Sequence, residues 1–176
     1  MASGFEIQMA LRESEQRMPD LIEATRKQLE TAVGRALRKT GAWLRTHSVR
    51  ELGRELGITQ APLRQRFQLY PRIRDGEVKV WVGLRPLSVH YLGTPRQTPT
   101  GVRVKRRDYE GAFIEPMRTR YPLVWQRKGR ERLPIERVTE ELGDVAVTVV
   151  ERWERRVERR FVEIFEQEAR HVLSDA

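Results

Sequence analysis

The chain has 176 residues, enough for one domain that buries roughly two-thirds of its unfolded surface. Hydrophobic residues make up 39% and charged residues 34%, which supports a modest core under heavily charged surfaces and argues against disorder. The net charge is +9, and cysteine is absent, which excludes a disulfide framework, a thiolate metal site and a cysteine nucleophile.

The charge is unevenly spread. Residues 1–95 carry 16 Lys/Arg against 10 Asp/Glu, residues 96–132 carry 11 against 4, and residues 133–176 carry 7 against 11. A basic middle and an acidic end attract one another between neighbouring copies, or the middle faces a polyanion. Arginine supplies 29 of the 34 basic residues and asparagine is missing; a GC-rich coding sequence accounts for both, so arginine content alone says little about phosphate binding. No apolar run approaches the roughly 18 residues needed to span a bilayer. Met1 to Leu11 carries Glu6 in a mixed segment and does not read as a secretory signal. The expectation is a soluble chain without a membrane partner.

In chain order, Phe5 to Ile7 starts a short strand, and a polar helix follows to about Arg17. Pro19 suits the first turn of the next helix, where its missing N–H costs nothing. From there Ile22, Leu29, Val33, Ala36, Leu37, Trp43 and Leu44 recur at three- and four-residue steps, predicting an amphipathic helix of about 27 residues. Residues 50–67 then read as a short helix, a turn at Gly57 and a second short helix with Thr59 as its N-cap. After Pro71 the period changes. Val78, Val80 and Val82 alternate with Glu77, Lys79 and Trp81 in a half-buried strand, and Leu87 to Leu92 reads as another. Gly93 to Gly101 is a breaker-rich loop, Val102 and Val104 mark a third strand, and Ala112–Ile114 with Leu123–Trp125 form a hairpin pair. From Val138 an apolar stripe at helical spacing runs through Leu142, Val145, Val149, Trp153, Val157, Phe161, Phe165 and Val172, predicting one long C-terminal helix.

This order predicts the α+β class: long N-terminal and C-terminal helices packed on a small, mainly antiparallel sheet. One domain is expected, with a helical part at 1–70, a β part with a basic hairpin at 71–135 and the C-terminal helix at 136–176.

Catalytic chemistry finds no foothold in the sequence. His47, His90 and His171 fall on a helix, a strand and a tail helix, outside any zinc-binding pattern. Glu140, Glu141, Asp144, Glu163, Glu166 and Glu168 read as the solvated face of the C-terminal helix. No glycine-rich phosphate or dinucleotide fingerprint is present. The expectation is a non-enzymatic protein with no catalytic, metal or cofactor-binding residues.

Two binding constellations remain. Leu52 to Phe67 resembles a helix-turn-helix that would bring Thr59, Gln60, Arg64 and Gln65 to a major groove. Against that, Pro62 lies in the second helix and β-structure follows at once where a third helix should complete the core; a structural helix pair is the competing reading. The second is a positive edge from Arg103, Lys105, Arg106 and Arg107 on and after a strand and Arg127, Lys128, Arg130 and Arg132 after the hairpin. It lines a DNA channel or meets an acidic partner, or it is a solvated edge that resists aggregation.

Gly101-Val102-Arg103-Val104, Gly111-Ala112-Phe113-Ile114, Val124-Trp125-Gln126-Arg127-Lys128-Gly129 and Arg132-Leu133-Pro134-Ile135 follow in order. The series resembles the minor tail protein Z family of tailed bacteriophages, the tail-completion proteins. The upstream long helix and Arg-rich helix pair extend that likeness over most of the chain. The resemblance implies a structural, non-enzymatic virion component at the head-proximal end of the tail, present in the host cytoplasm during assembly. It implies a homo-oligomeric ring, hexameric by expectation, that joins tail to head. Its neighbours would be the tail tube, terminator or connector, with non-specific contact to passing DNA. The clean helix-turn-helix pattern near Gly57 departs from the family and keeps a DNA-binding regulator as the alternative.

Overall fold

The computed structural model describes residues 4–10, 26–72, 76–117 and 119–174. The N-terminal half contains β1 (Gly4–Ala10), α1 (Arg26–Leu56), α2 (Gln60–Arg64), β2 (Phe67–Arg72) and β3 (Glu77–Gly83). The middle contains β4 (Leu87–Ser88), a 3-10 turn at Val89–Tyr91, β5 (Pro95–Thr98), β6 (Gly101–Val104), β7 (Arg107–Glu110) and β8 (Ala112–Glu115). Then come β9 (Leu123–Arg127), β10 (Ile135–Arg137), β11 (Thr139–Glu140), α3 (Gly143–Glu154) and α4 (Val157–Ser174). This is an α+β protein, with its strands divided among four small antiparallel sheets in place of one.

At 31 residues, α1 is about 46 Å long at 1.5 Å per residue. α1 runs unbroken through residues 50–56, where a separate short helix was expected, because nothing there breaks the backbone ladder. The expected polar helix to Arg17 and the helix start at Pro19 lie outside the described residues. Its buried side chains, Ala32, Ala36, Leu37, Thr40, Leu44, Ser48, Val49 and Leu52, form the stripe around which the core is assembled. Small residues dominate one side of it, so a second helix approaches closely there. That helix is α4, which brings Phe161, Ile164 and Ala169. The β1-β3-β2 sheet covers another side, with Phe67, Val78, Val80 and Val82 buried.

α1 ends in a Schellman turn. Gly57 has φ +65°, its N–H donates to Arg54 O at 3.2 Å, and the Ile58 N–H donates to Gly53 O at 2.9 Å. A side chain at Gly53 would press on Ile58 O at 3.2 Å, which explains the small residue at that position.

The C-terminal segment departs from the single helix that its stripe predicted. Val138 lies between β10 and β11, and the helix begins only at Gly143. It then breaks at Arg155–Arg156, where the Arg156 N–H donates to Trp153 O at 3.0 Å, a tighter turn than the α-helix makes. The bend lets both halves lie on α1, with Val149 and Val150 of α3 and Phe161 and Ile164 of α4 all buried. One expected strand and one expected loop also change. Leu87 to Leu92 yields two strand residues and a 3-10 turn, whereas the breaker-rich loop contains β5, paired with β6 from Pro95↔Val104 to Thr98↔Gly101.

Glu168, expected on the solvated face, is instead buried at the α1–α4 seam. Lys39 donates to it, and Arg35 lies 3.9 Å from its other oxygen. The bond from Lys39 outweighs the cost of burial and holds its carboxyl below the ordinary value of 4.5. A group depressed in the folded state adds stability above its ordinary value and loses it as the pH falls through the folded one. Glu168→Gln should therefore cost about 1 kcal/mol near neutrality. Urea denaturation should show that gap closing below pH 4.5.

Gly101 packs against β7 so closely that an added Cβ would stand 2.1 Å from Tyr109 O. Gly101→Ala should cost about 1–3 kcal/mol through forced separation of the strands, lowering Tm by roughly 2–4 °C per kcal/mol. Gly129→Ala, with nothing within 4 Å, should leave thermal denaturation unchanged.

Candidate functional site

The chain's basic middle folds into two small sheets, β5-β6-β7 and β8-β9-β10, joined by side-chain amides. Gln97 Nε2 donates to Gly101 O at 2.8 Å and to Ala112 O at 3.3 Å, while its Oε1 accepts from the Ile114 N–H at 3.0 Å. Gln126 Nε2 donates to Glu110 O at 2.8 Å. The register pairs Gly101 with Glu110 and Val104 with Arg107, so the Lys105–Arg106 turn lies at the far end of its hairpin from Gln126. Four strand residues separate the two ends, about 13 Å. The eight basic residues thus form two turns, one at each end of the β6–β7 hairpin, and not a continuous edge.

Most of those cations have partners within the fold. Arg103 grips Asp108 in a fork, Nε to Oδ1 at 2.6 Å and Nη2 to Oδ2 at 3.1 Å. The bond raises the Arg103 proton affinity and lowers that of Asp108. Lys105, in the left-handed region at φ 54°, donates through Nζ to Gly57 O and places a positive charge at the negative end of α1. Arg107 lies 2.6 Å from Glu140 Oε2. Arg127 stands 5.9 Å over the Phe113 ring, and Lys128 pairs with Glu136 at 2.8 Å. Among the described residues, Arg106, Arg130 and Arg132 are exposed and have no ion-pair partner. A cleft of about 350 Å³ beside the first turn has Leu56, Leu92 and Val104 as its apolar floor and Lys105, Arg106 and Arg107 as its rim.

The helix-turn-helix candidates are all exposed: Thr59, Gln60, Arg64 and Gln65. Thr59 has an extended backbone at the start of α2 but makes no side-chain cap bond. α2 is five residues long, about 7.5 Å, and Pro62 and Leu63 are buried beneath it. The chain passes directly into β2 at Phe67, so a strand stands where a third helix would complete such a motif.

His47, His90 and His171 remain apart, and no group of three or more potential metal ligands occurs among the described residues. The four tryptophans are all partly buried. Among the described residues the exposed large apolar side chains are instead Tyr70, Tyr91, Met117, Tyr121 and Leu133. Two features escaped sequence reasoning. One is the Trp43–His47–Trp153 aromatic contact, whose only linear trace is the four-residue step on α1. The other is Glu140, which accepts from the Tyr109 hydroxyl at 2.7 Å while pairing with Arg107.

Burial, and then the bond to Glu140, push the Tyr109 phenol up to about 12. Burial also raises the Glu140 carboxyl, but the bonds from Tyr109 and Arg107 win and hold it below its ordinary value. Glu140→Gln should bring the phenol down toward, though not to, its ordinary 10.0, because burial remains. Alkaline titration followed by tyrosinate absorbance reads the change.

No protein-family model, no curated protein and no solved structure matches this chain.

Proposed function

We propose that this chain is a structural tail-completion subunit of a tailed bacteriophage, forming a ring at the head-proximal end of the tail. In that role it makes contacts and catalyses no reaction. The observation that carries the proposal is what the Gly101–Ile135 series becomes in three dimensions. It folds into hairpins whose connecting turns leave Met117, Tyr121 and Leu133 exposed at 43%, 70% and 68%. Arg120, Arg130 and Arg132 beside them have no ion-pair partner among the described residues. Apolar and arginine side chains together favour protein contact, since arginine and aromatics are enriched at interfaces. The open edges of short antiparallel sheets add backbone groups through which a neighbouring strand can pair. Partners are further copies of the chain and the adjoining tail and neck proteins, with the remaining cations tolerating passing DNA.

A second reading, a DNA-binding regulator, draws on the joint exposure of Thr59, Gln60, Arg64 and Gln65. The two readings diverge in a binding assay. A regulator retains one duplex sequence selectively at physiological salt and loses it on Gln60→Ala or Arg64→Ala; an assembly subunit shows weak, salt-sensitive, sequence-blind binding.

Electron microscopy of assembled tails carrying an epitope-labelled chain should locate it as a ring at one end. Complete tails that lack the label overturn the proposal.

A further inference from the structure

The junction of α1, α3 and α4 gathers cations that its own carboxylates leave unbalanced. Trp43 and His47, one turn apart on α1, pack with Trp153 of α3. The ring centroids lie 4.8 Å apart for Trp43–His47, 4.4 Å for His47–Trp153 and 5.5 Å for Trp43–Trp153. Glu51, a turn beyond His47, accepts from Trp153 Nε1 at 2.6 Å and from Arg152, which also reaches Glu55 at 3.4 Å. The acidic groups of this face are therefore engaged.

Three guanidiniums act on the His47 ring of this wall. Arg156, at the bend, lies 4.8 Å over the Trp153 ring, which fixes its plane. Arg160 follows one turn later, its N–H donating to Arg156 O at 3.1 Å. It gives Nη1 to Glu163 at 2.7 Å, while its buried Nε has no hydrogen-bond partner. Arg50, three residues from His47 on the same helix, is exposed and has no ion-pair partner among the described residues.

We propose that Arg50, Arg156 and Arg160, set against the Trp43–His47–Trp153 wall, form a binding site for a phosphate group. Guanidinium forks match the oxygens of phosphate, and three guanidiniums that all act on the His47 ring suit a dianion better than a carboxylate. The site does not depend on the chain's place in a phage tail.

Binding is coupled to His47. Burial first, and then Arg50, Arg160 and Arg156, lower its proton affinity, so the free site holds a neutral imidazole at neutral pH. The charged groups facing it are Arg50 and Glu51 from α1, Arg152 from α3, Arg156 from the bend, and Arg160 with its partner Glu163 from α4. A bound anion offsets the three arginines and raises the proton affinity of His47, so by linkage the anion binds more tightly as the pH falls.

Calorimetric titration of the full chain with pyrophosphate, and separately with a short DNA duplex, tests the site at an ionic strength held constant with chloride. Saturable binding is expected, weakened about tenfold or more by Arg50→Gln or Arg156→Gln and unchanged by Arg106→Gln on the distant turn. His47→Gln should bind but lose the pH dependence of duplex binding, which is read there because phosphodiesters do not titrate near neutrality. Arg50 is exposed, so its variant keeps the fold, as a melting curve checks. Binding of both probes identifies free phosphate as sufficient, and binding of the duplex alone identifies the nucleic-acid backbone as the source. No binding beyond chloride, or equal weakening by Arg106→Gln, overturns the proposal.

Discussion

The stripe of small and aliphatic side chains along α1 is the constraint from which the remaining structure follows. Ala32, Ala36 and Thr40 succeed one another at four-residue steps and keep one side of the helix thin, while Leu37, Leu44, Val49 and Leu52 supply the bulk of its buried volume, and α4, α3 and the β1-β3-β2 sheet all pack on it. Dispersion contacts are individually weak and demand close packing. A helix of about 46 Å thus has to be matched along most of its length. The bend at Arg155–Arg156 is one consequence, because it keeps both α3 and α4 on the same helix. The ion pair of Lys39 with buried Glu168 is another, since a carboxylate in that seam is stable only with a cation bonded to it.

The end of α1 matters as much as its length. Gly57 turns the chain and leaves a carbonyl that Lys105 caps from the β6–β7 turn. That contact ties the tip of the basic hairpin to the helical part of the molecule. At the other end of the hairpin Gln97 and Gln126 bond the two small sheets through backbone carbonyls. Each sheet has three strands of only three to five residues, which alone leaves little margin for independent stability. Held at both ends, they carry the connecting turns in which Tyr121 and Leu133 stay exposed.

How much of this was legible in the sequence depended on whether each element carried its own period. The Val78, Val80 and Val82 alternation was readable because one face of that strand is buried, and the Ala112–Ile114 and Leu123–Trp125 pair because two short apolar runs flank a turn. Gly57 was readable because only glycine adopts its φ without strain. β5 was hidden, since Arg96 and Gln97 are exposed and Pro95 looks like a breaker; its pairing with β6 is a tertiary fact. The bend after Glu154 was hidden for a different reason. The stripe from Trp153 through Val157 to Phe161 keeps its four-residue step across the break, and periodicity reports which face is buried, not whether the backbone ladder is continuous.

Charge was the least legible property, and the basic residues show why. Arg103, Lys105, Arg107 and Lys128 are indistinguishable in sequence from Arg106, Arg130 and Arg132, yet the first four are each bonded to an acceptor of this chain. An internal partner lowers the cation's value to an outside ligand, because binding that ligand must first break or share the bond. Capacity to bind an anion therefore resides where folding leaves guanidiniums unmatched, and no count along the chain reveals it. By that criterion the Arg-rich run from Glu151 to Arg160, which reads as a solvated helix face, divides into two classes. Arg152 is tied to α1 through Glu51 and Glu55, and Arg159 and Arg160 pair with Glu163, whereas Arg156 rests on an aromatic ring and has no ion-pair partner among the described residues. Arg156 stands at the bend, so the packing of α3 and α4 on α1 also decides which cations remain available.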